Sequence, residues 1–262
     1  MLGLGSTLRR TLQLPSGSGG GGNAYSLDFD GTDDYVQVSN SVFQPALRNS
    51  FTITMWVNIP STSEQTWISA WNGSANNFYV KLEGTDLRTY FSSNWDDLIV
   101  SSTVTVPTSQ WVHFAISCTK TGTESSSSVI AQYINGSKLT TSAVFSTALT
   151  AANQGSFNLG SNHFQIGYDP NRTANKMLDD TLVHEFSLHA AVLSENAITT
   201  LYNSGGASID QLENSGDYSN SNLIGYWKLD EGSGTTATDS TAGRTDGTIN
   251  NGAVWSTSIP GS

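Results

Sequence analysis

Short stretches in which apolar and polar residues alternate recur along most of this sequence. In FTITMWVNI, residues 51–59, every second side chain is large and apolar: Phe51, Ile53, Met55 and Val57. A period of two is typical of a β-strand, because successive side chains of a strand point to opposite faces of its sheet. Further strand candidates lie at residues 66–71, 77–83, 87–91, 98–106, 111–119, 128–139, 163–168, 182–188 and 223–229.

Turn-forming residues separate these candidates, and the pair Asn135 and Gly136 is a strong hairpin signal. So many short strands at short spacing predict an all-β protein, built as a sandwich of two antiparallel sheets. One helix is expected in SENAITTLYNSGG, where Ser194 is the N-cap and Gly205 the stop signal. We expect this helix to close one end of the sandwich.

Three zones divide the chain. Residues 1–22 hold a short, weakly amphipathic piece and a flexible Gly/Ser linker, and we expect them to dock on a neighbouring chain or on their own domain. Residues 23–205 form the main sandwich. Residues 206–262 have too few apolar side chains to fold alone, so they should pair with the sandwich or with a neighbouring subunit. The expected assembly contacts are Leu2, Leu4, Leu8, Leu12 and Trp227.

Charge and cysteine content exclude several classes of function. The formal net charge is -11, from 22 acidic and 11 basic residues, and no basic stripe could neutralise phosphates. Nucleic acid is therefore not an expected partner. No apolar run is long enough for a spanning helix, so no membrane partner is expected, and residues 1–22 do not resemble a secretory signal. The single cysteine, Cys118, excludes an internal disulfide.

Five segments together resemble the laminin-G-like branch of the concanavalin A-like lectin/glucanase superfamily. The first is LDFDGTDDYVQV, which is similar to the family's opening motif, and the other four follow in family order. The segments lie at residues 27–38, 51–59, 111–117, 133–139 and 183–205. The resemblance implies a jelly-roll sandwich of two curved antiparallel sheets.

The sequence departs from the family pattern at two places. His184 stands where relatives usually have an aspartate, which puts in doubt any acid-dependent site at that position. The segment at residues 223–255 usually precedes the jelly roll in relatives, and here it follows. This order suggests a circular permutation, or a repeat whose second sandwich is missing. A short Leu/Gly head, one sandwich and such a tail also look like marine bacteriophage proteins, in which this fold decorates capsids or builds fibres.

Four aspartates within the opening motif raise the question of a metal site: Asp28, Asp30, Asp33 and Asp34. They do not fit a helix–loop–helix calcium loop, because the twelfth residue counted from Asp28 is Ser39 and not a glutamate. Our main interpretation is that these aspartates form a turn between two strands. The alternative is that Asp33 or Asp34 joins loop carbonyls in a calcium site at the rim of the sandwich. No other cofactor is expected.

The sequence contains none of the catalytic patterns known for this superfamily. Glycosidases of the superfamily carry two glutamates in an E-x-D-x-x-E pattern, since retaining hydrolysis needs two carboxyl groups about 5–5.5 Å apart. The glutamates here are scattered, so no catalytic residue is proposed. His184 and His189 lie five residues apart in a predicted strand and should point to opposite faces, which argues against a shared zinc ion.

Loop tryptophans are the candidates for a glycan site. Trp71 with Asn72, and Trp95 with Asp96, lie in polar, turn-rich segments where an indole would be partly exposed. Sugar rings stack on such indoles, and nearby amides and carboxylates bind hydroxyl groups. Two other roles stay open for these tryptophans, namely contact with another subunit and simple packing.

The sequence therefore favours a non-catalytic structural or interaction protein of a larger assembly. A bacteriophage virion surface is the expected place, with an extracellular location as the alternative. The alternative function is a carbohydrate-binding module for host or environmental polysaccharide. A glycoside hydrolase is the remote third hypothesis.

Overall fold

The computed structural model describes residues 24–93, 96–120, 129–143, 149–169, 176–243 and 245–262, with residues 96, 97 and 143 described through their backbone alone. The first nine strands are β1 Ser26–Asp30, β2 Tyr35–Val38, β3 Phe51–Asn58, β4 Gln65–Trp71, β5 Asn77–Glu83, β6 Asp86–Ser93, β7 Asp96–Thr103, β8 Trp111–Thr119 and β9 Val129–Ile134. The remaining strands are β10 Ser137–Lys138, β11 Ser142–Ala143, β12 Phe164–Ile166, β13 Asp179–His189, β14 Leu223–Trp227, β15 Thr236–Ala237, β16 Gly247–Asn250 and β17 Val254–Ser256.

The strands form two antiparallel sheets that pack face to face. The first sheet has the order β10-β9-β8-β3-β13-β1-β17, and β14 pairs with the part of β13 that β1 leaves free. The second sheet has the order β11-β7-β6-β5-β4-β12-β2-β16-β15. The prediction of an all-β sandwich is thereby confirmed.

Large apolar side chains fill the space between the sheets. Those predicted for one face of residues 51–59 lie there and are fully buried, as the alternation requires. At one end of this core the ring of Phe43 stacks on that of Phe164, with the centroids 3.6 Å apart. Trp227 stacks on the other side of the cluster, 5.5 Å from Phe43 and 5.8 Å from Phe186.

Trp227 is therefore a core residue of its own chain. None of its surface is exposed, and its indole N–H donates to the carbonyl of Thr245 at 3.0 Å. A side chain in this position has no surface for another subunit, so the prediction of an assembly contact at Trp227 is corrected to a packing role.

The C-terminal segment contributes strands to both sheets of the same chain. β14 pairs with β13 and β17 with β1 in the first sheet, while β16 pairs with β2 in the second. Of the two arrangements considered for residues 206–262, the described structure shows pairing with the chain's own sandwich. The last strand, β17, lies beside the first, β1, so residues 206–262 pair fully within one sandwich and no second sandwich is required.

The outer face of the first sheet is also buried, which an isolated two-sheet sandwich would not produce. Thr52, Thr54 and Trp56 point outward from β3, yet none is more than 1% exposed. They are covered by helix α3, Glu195–Tyr202, and by the connector at residues 206–222. The helix packs Ala197, Ile198 and Leu201 onto Ala115 of β8 and Tyr133 of β9.

The predicted helix thus exists, with Ser194 as N-cap, but its place was predicted wrongly. It lies on the outer face of a sheet rather than at an end of the sandwich, because its apolar stripe matches small and aromatic side chains there. The helix ends at Asn203, which adopts a left-handed conformation with φ 48° and so takes the capping role expected of Gly205.

Two more helices were not predicted: α1, Asn40–Leu47, and α2, Ala151–Gly155. Each is short and capped by a side chain, that of Ser39 for α1 and that of Thr150 for α2. Pro45 lies inside α1, which weakens the helical pattern in the sequence. Within the described residues, no helix combines the length and apolar character required to cross a bilayer.

A bulge in β13 overturns the prediction for its two histidines. Glu185 has φ 49°, and the register against β3 shifts between His184 and Ser187. His184 then lies opposite Trp56, and His189 opposite Thr52, so both point to the outer face. Their partners on β3, Trp56 and Thr52, are four residues apart, which corresponds to roughly 13 Å along the strand. This distance is too large for the two histidines to share one ion.

Candidate functional site

Trp71 ends β4 at the rim of the second sheet, with its side chain on the outer face. The neighbouring core positions, Ala70 and Phe78, pair across β4 and β5 and fix this orientation. The indole is partly exposed, and its N–H donates to the carbonyl of Ser74 at 3.3 Å. The ring is thus held in one place by a polar bond at its edge, and part of its surface remains open to solvent.

A shallow depression of about 200 Å³ opens beside this indole. Trp71 lines it together with Asn162, His163 and Gln165, which come from β12 and the loop before it. Gln165 lies opposite Ser69 of β4, and the amide of Asn162 donates to the carbonyl of Trp71 at 2.7 Å. The walls are therefore an aromatic ring, two amides and an imidazole.

The side chain of Asn72, a predicted glycan contact, makes hydrogen bonds to the backbone around it. Its Oδ1 accepts the N–H groups of Ser74 at 2.9 Å and Asn76 at 3.1 Å, and its Nδ2 donates to the carbonyl of Asn158 at 2.9 Å. These bonds shape the loop that follows Trp71. Asn72 thus shapes this loop and is not among the residues that line the depression, and a glycan contact at Asn72 stays a prediction.

Charged side chains on the outer face of the second sheet are paired with one another. The Lys81 ammonium lies 2.5 Å from the Asp169 carboxylate, and both side chains are buried. The Arg88 guanidinium bridges Glu83 at 2.5 Å and Asp86 at 3.1 Å. Each of these five charged groups thus has a partner of opposite charge, and the two cations against three carboxylates leave one net negative charge on this face.

The aspartates of the opening motif lie in the loop between β1 and β2. Asp30, Asp33 and Asp34 each offer a carboxylate oxygen, and these oxygens lie within 4.8 Å of one another. Asp28 is apart from them, on β1. Burial raises the pKa of Asp28 and of Asp34, and neighbouring aspartates raise both further: Asp180 acts on Asp28, and Asp30 on Asp34.

Several predicted positions lie outside the described residues, namely Leu2, Leu4, Leu8, Leu12 and Trp95. Asp96 is described only as the first residue of β7, where it pairs with Ser93. The predictions of a glycan contact at Trp95 and Asp96, and of assembly contacts in residues 1–22, therefore stay predictions.

Comparison with known proteins places these features in a family context. The sequence model of the concanavalin A-like lectin/glucanases superfamily matches residues 30–199. Comparison with curated protein sequences returns no match. A similar solved structure is that of a candidate carbohydrate binding protein from Bacteroides ovatus ATCC 8483, with 16% identity and a TM-score of 0.57. The alignment covers 90% of this chain and 60% of that protein, so the chain spans less than two thirds of its length.

Two other structures are similar at lower scores. A heptameric SAP-like pentraxin from Limulus polyphemus has 14% identity and a TM-score of 0.44, and the alignment covers 69% of this chain and 82% of the pentraxin. A botulinum neurotoxin type C, whose cell entry depends on interaction with two ganglioside molecules, has 16% identity and a TM-score of 0.46. That alignment covers 65% of this chain and 39% of the toxin.

Proposed function

This chain belongs to the concanavalin A-like lectin/glucanases superfamily, and from that premise we propose that it is a non-catalytic carbohydrate-binding protein. The single observation that carries the proposal is the partly exposed indole of Trp71 beside a polar depression. Apolar faces of sugar rings stack on indoles, while amides and imidazoles exchange hydrogen bonds with hydroxyl groups. The proposal also extends to this chain the carbohydrate-binding role for which the Bacteroides ovatus protein is named.

The second sheet is the better surface for a ligand, because α3 and the connector already cover the outer face of the first. The chemistry around Trp71 favours uncharged sugars. Asn162, His163 and Gln165 offer hydrogen bonds, and the charged groups Lys81 and Arg88 are paired with acids. A sulfated or carboxylated polysaccharide would also approach a chain with a net charge of -11, which repels it.

The same lining supports the proposal of binding without hydrolysis. Retaining hydrolysis of a glycoside needs two carboxyl groups about 5–5.5 Å apart, and inverting hydrolysis needs two at a larger separation. Trp71, Asn162, His163 and Gln165 supply no carboxylate to the depression. We therefore propose that the site holds a sugar and leaves its glycosidic bonds intact.

Replacing Trp71 with alanine tests this proposal. Burying a side chain of this size contributes on the order of 1.5–3 kcal/mol, so Trp71→Ala should weaken glycan binding about 10- to 100-fold. The ligand would be found on an array of neutral and anionic glycans, and its affinity measured by titration calorimetry. The matched control is Trp255→Ala, which removes a partly buried tryptophan of β17 in the first sheet.

The control should bind like the unchanged protein once thermal unfolding shows that both variants are folded. Equal affinity for Trp71→Ala and the unchanged protein would overturn the site. A full-length protein that binds no glycan on the array would overturn the function itself.

The finer proposal is that this binding protein is a subunit of a larger assembly, with a bacteriophage virion surface as the favoured place and an extracellular location as the alternative. Its support is the sequence of residues 1–22, where apolar side chains precede a Gly/Ser linker that cannot fold alone. Residues 206–262 were also expected to be able to pair with a neighbouring subunit. Because they pair with strands of their own chain, they no longer support the assembly proposal.

Removing residues 1–22 tests the assembly proposal. The variant that begins at residue 23 should keep the sandwich and lose self-association or docking, as measured by light scattering after size exclusion. The glycan affinity serves as the control, because Trp71 is far from the deletion in sequence. A shortened chain that assembles as well as the full chain would refute the docking role.

A further inference from the structure

A separate layer covers the outer face of the first sheet. This layer, here called the cover, consists of α3 and the connector at residues 206–222. An apolar cluster joins it to the sheet, and the cluster includes Ala197, Ile198, Leu201, Ala115 and Tyr133. A helix of eight residues is not stable alone in water, so α3 depends on this contact. The cover is therefore a unit that opens by itself if its contacts with the sheet weaken.

Three of the four histidines lie between the first sheet and this cover. His113, on β8, has its ring centroid 6.4 Å from that of Tyr202 in α3. The Nε2 of His184, on β13, lies 3.3 Å from the hydroxyl of Ser208 in the connector. The third is His189, also on β13. None of the three residues is more than 1% exposed, so the cover and the sheet together shield them from water.

The hydrogen bonds of His189 leave one of its ring nitrogens without a partner. The hydroxyl of Tyr218 donates to the carbonyl of Gln211 at 2.9 Å, so it accepts from the Nε2 of His189, 3.2 Å away. A second proton would then bind to Nδ1, which is buried without a hydrogen-bond partner among the described residues. The Nδ1 of His113 is in the same situation. Because a buried N–H of an imidazolium without an acceptor is strongly unfavourable, protonation favours a state in which water reaches these rings.

The charged side chains at the edge of the cover are paired with one another. Lys228, which follows β14, lies 3.1 Å from the carboxylate of Asp210 in the connector. Lys138 of β10 lies 2.9 Å from the carboxylate of Glu195 in α3. These two pairs join the cover to its sheet, and neither includes a histidine. Repulsion from Lys228 also contributes to the lowered pKa of His184.

One buried carboxylate lies beside these histidines, that of Glu185 on β13. Its Oε1 accepts the hydroxyl of Tyr226 at 2.7 Å and lies 3.9 Å from the Nε2 of His184. This carboxylate would offset part of a positive charge on His184. In the part of the chain that the structure describes, the ion pairs include neither His113 nor His189. A charge on either of these two would therefore lack a counterion while the cover is closed.

We propose that the cover is an acid-sensitive flap: on acidification, α3 and residues 206–222 lift from the first sheet while the two sheets stay packed together. His113, His184 and His189 all point to the outer face and not into the core between the sheets. Their protonation therefore weakens the attachment of the cover and not the packing of the sheets. The flap does not depend on the proposed sugar site, which lies on the second sheet.

Opening should occur only in acid. In the open cover the imidazoles meet water, where their pKa is about 6.5. In the closed cover, burial lowers the pKa of His113 to about 3 and that of His184 and of His189 to about 4, although the backbone of Thr52 opposes this effect in part at His189. The closed cover therefore keeps its full stability above about pH 6.5 and loses stability as the pH falls toward 4. Between pH 7.5 and pH 5, each histidine shifts the equilibrium toward the open state by up to ~30-fold.

Hydrogen exchange of the full chain, measured by mass spectrometry of its peptides, tests the flap directly. Protection factors, which correct for the pH dependence of chemical exchange, should fall by ~30-fold or more for residues 195–222 between pH 7.5 and pH 5. Those of β4, β5 and β6 in the second sheet should stay nearly constant. An equal fall in both regions would show global unfolding, and constant protection of residues 195–222 would show that the cover does not respond. Either result would overturn the proposal.

Histidine variants test whether these side chains cause the opening. His113→Gln and His189→Gln should each make the fall in protection up to ~30-fold smaller, because glutamine does not titrate. The two histidines lie under different parts of the cover, so one variant remains informative if the other does not fold. The matched control is His163→Gln, which removes an exposed imidazole and should leave the response of the cover unchanged. A fall that is the same in both test variants as in the unchanged chain, or that is lost equally in the control, would refute the flap.

Discussion

Three histidines are buried within the protein: His113, His184 and His189. Burial lowers the pKa of His113 to about 3, and that of His184 and of His189 to about 4. For His184, the carbonyl of Tyr25 opposes this effect and Lys228 adds to it. In the unfolded chain an imidazole has a pKa of about 6.5. All three side chains are therefore neutral in the folded protein at neutral pH.

Acidification should consequently destabilise the protein between pH 6.5 and pH 4. Below pH 6.5 these imidazoles bind protons in the unfolded chain but stay unprotonated in the folded chain. Each histidine therefore lowers the free energy of unfolding by up to about 1.4 kcal/mol per pH unit. The free energy of unfolding is therefore unaffected by these histidines above pH 6.5, and most of the loss that they cause has occurred near pH 4. Urea unfolding at a series of pH values measures this dependence.

Replacing one buried histidine should reduce the slope. His189 contacts the hydroxyl of Tyr218 at 3.2 Å, and His189→Gln removes its titration while it keeps a polar side chain. The matched control, His163→Gln, removes an exposed imidazole. An unchanged slope in the His189 variant would show that its titration does not contribute.

Trp71 could be predicted from the sequence, because a tryptophan in a turn-rich polar segment is conspicuous. Asn162, His163 and Gln165 could not, since they reach Trp71 only through the pairing of β12 with β4, across some ninety residues of sequence. The spacing of residues along the chain does not indicate which strands become neighbours in a sheet. The role of Asn72 was hidden for a related reason, as its loop bonds depend on the position of Asn158.

At the level of elements, alternation predicted most strands well and helices poorly. β8, residues 111–119, was predicted to the residue, and Asn135 and Gly136 form the expected turn between β9 and β10. Short helices such as α1 leave a weak pattern, because eight residues make barely two turns. The bulge at Glu185 left no readable pattern at all, yet it decides which face carries His189.

At the level of the whole molecule, the predicted boundary at residue 205 does not separate two folding units. β14, β16 and β17 complete both sheets, and Trp227 fills the core between Phe43 and Phe186. The composition of residues 206–262 predicted that they pair with the sandwich or with a neighbouring subunit, and in the structure they pair with the sandwich. Composition could not show that they complete both sheets, because that depends on long-range packing.

A chain that ends at residue 222 should therefore fail to fold. It would lack β14 to β17, leave a cavity at Trp227 and expose the edges of β1 and β2, so the loss should exceed the ~5–15 kcal/mol by which most domains are stable. Soluble yield and resistance to protease measure this outcome. The control chain ends at Ser256, keeps every strand and should stay folded; equal behaviour of the two chains would contradict the prediction.

The pairing of β17 with β1 has a consequence for how this protein can be joined to others. Ser26 lies opposite Ser256, and paired residues of antiparallel strands are about 5 Å apart. The polypeptide thus enters and leaves the sandwich at neighbouring points on one edge. Such a fold can be grafted into a surface loop of a host protein through two short linkers, and it would then display the face that carries Trp71 without stretching the host.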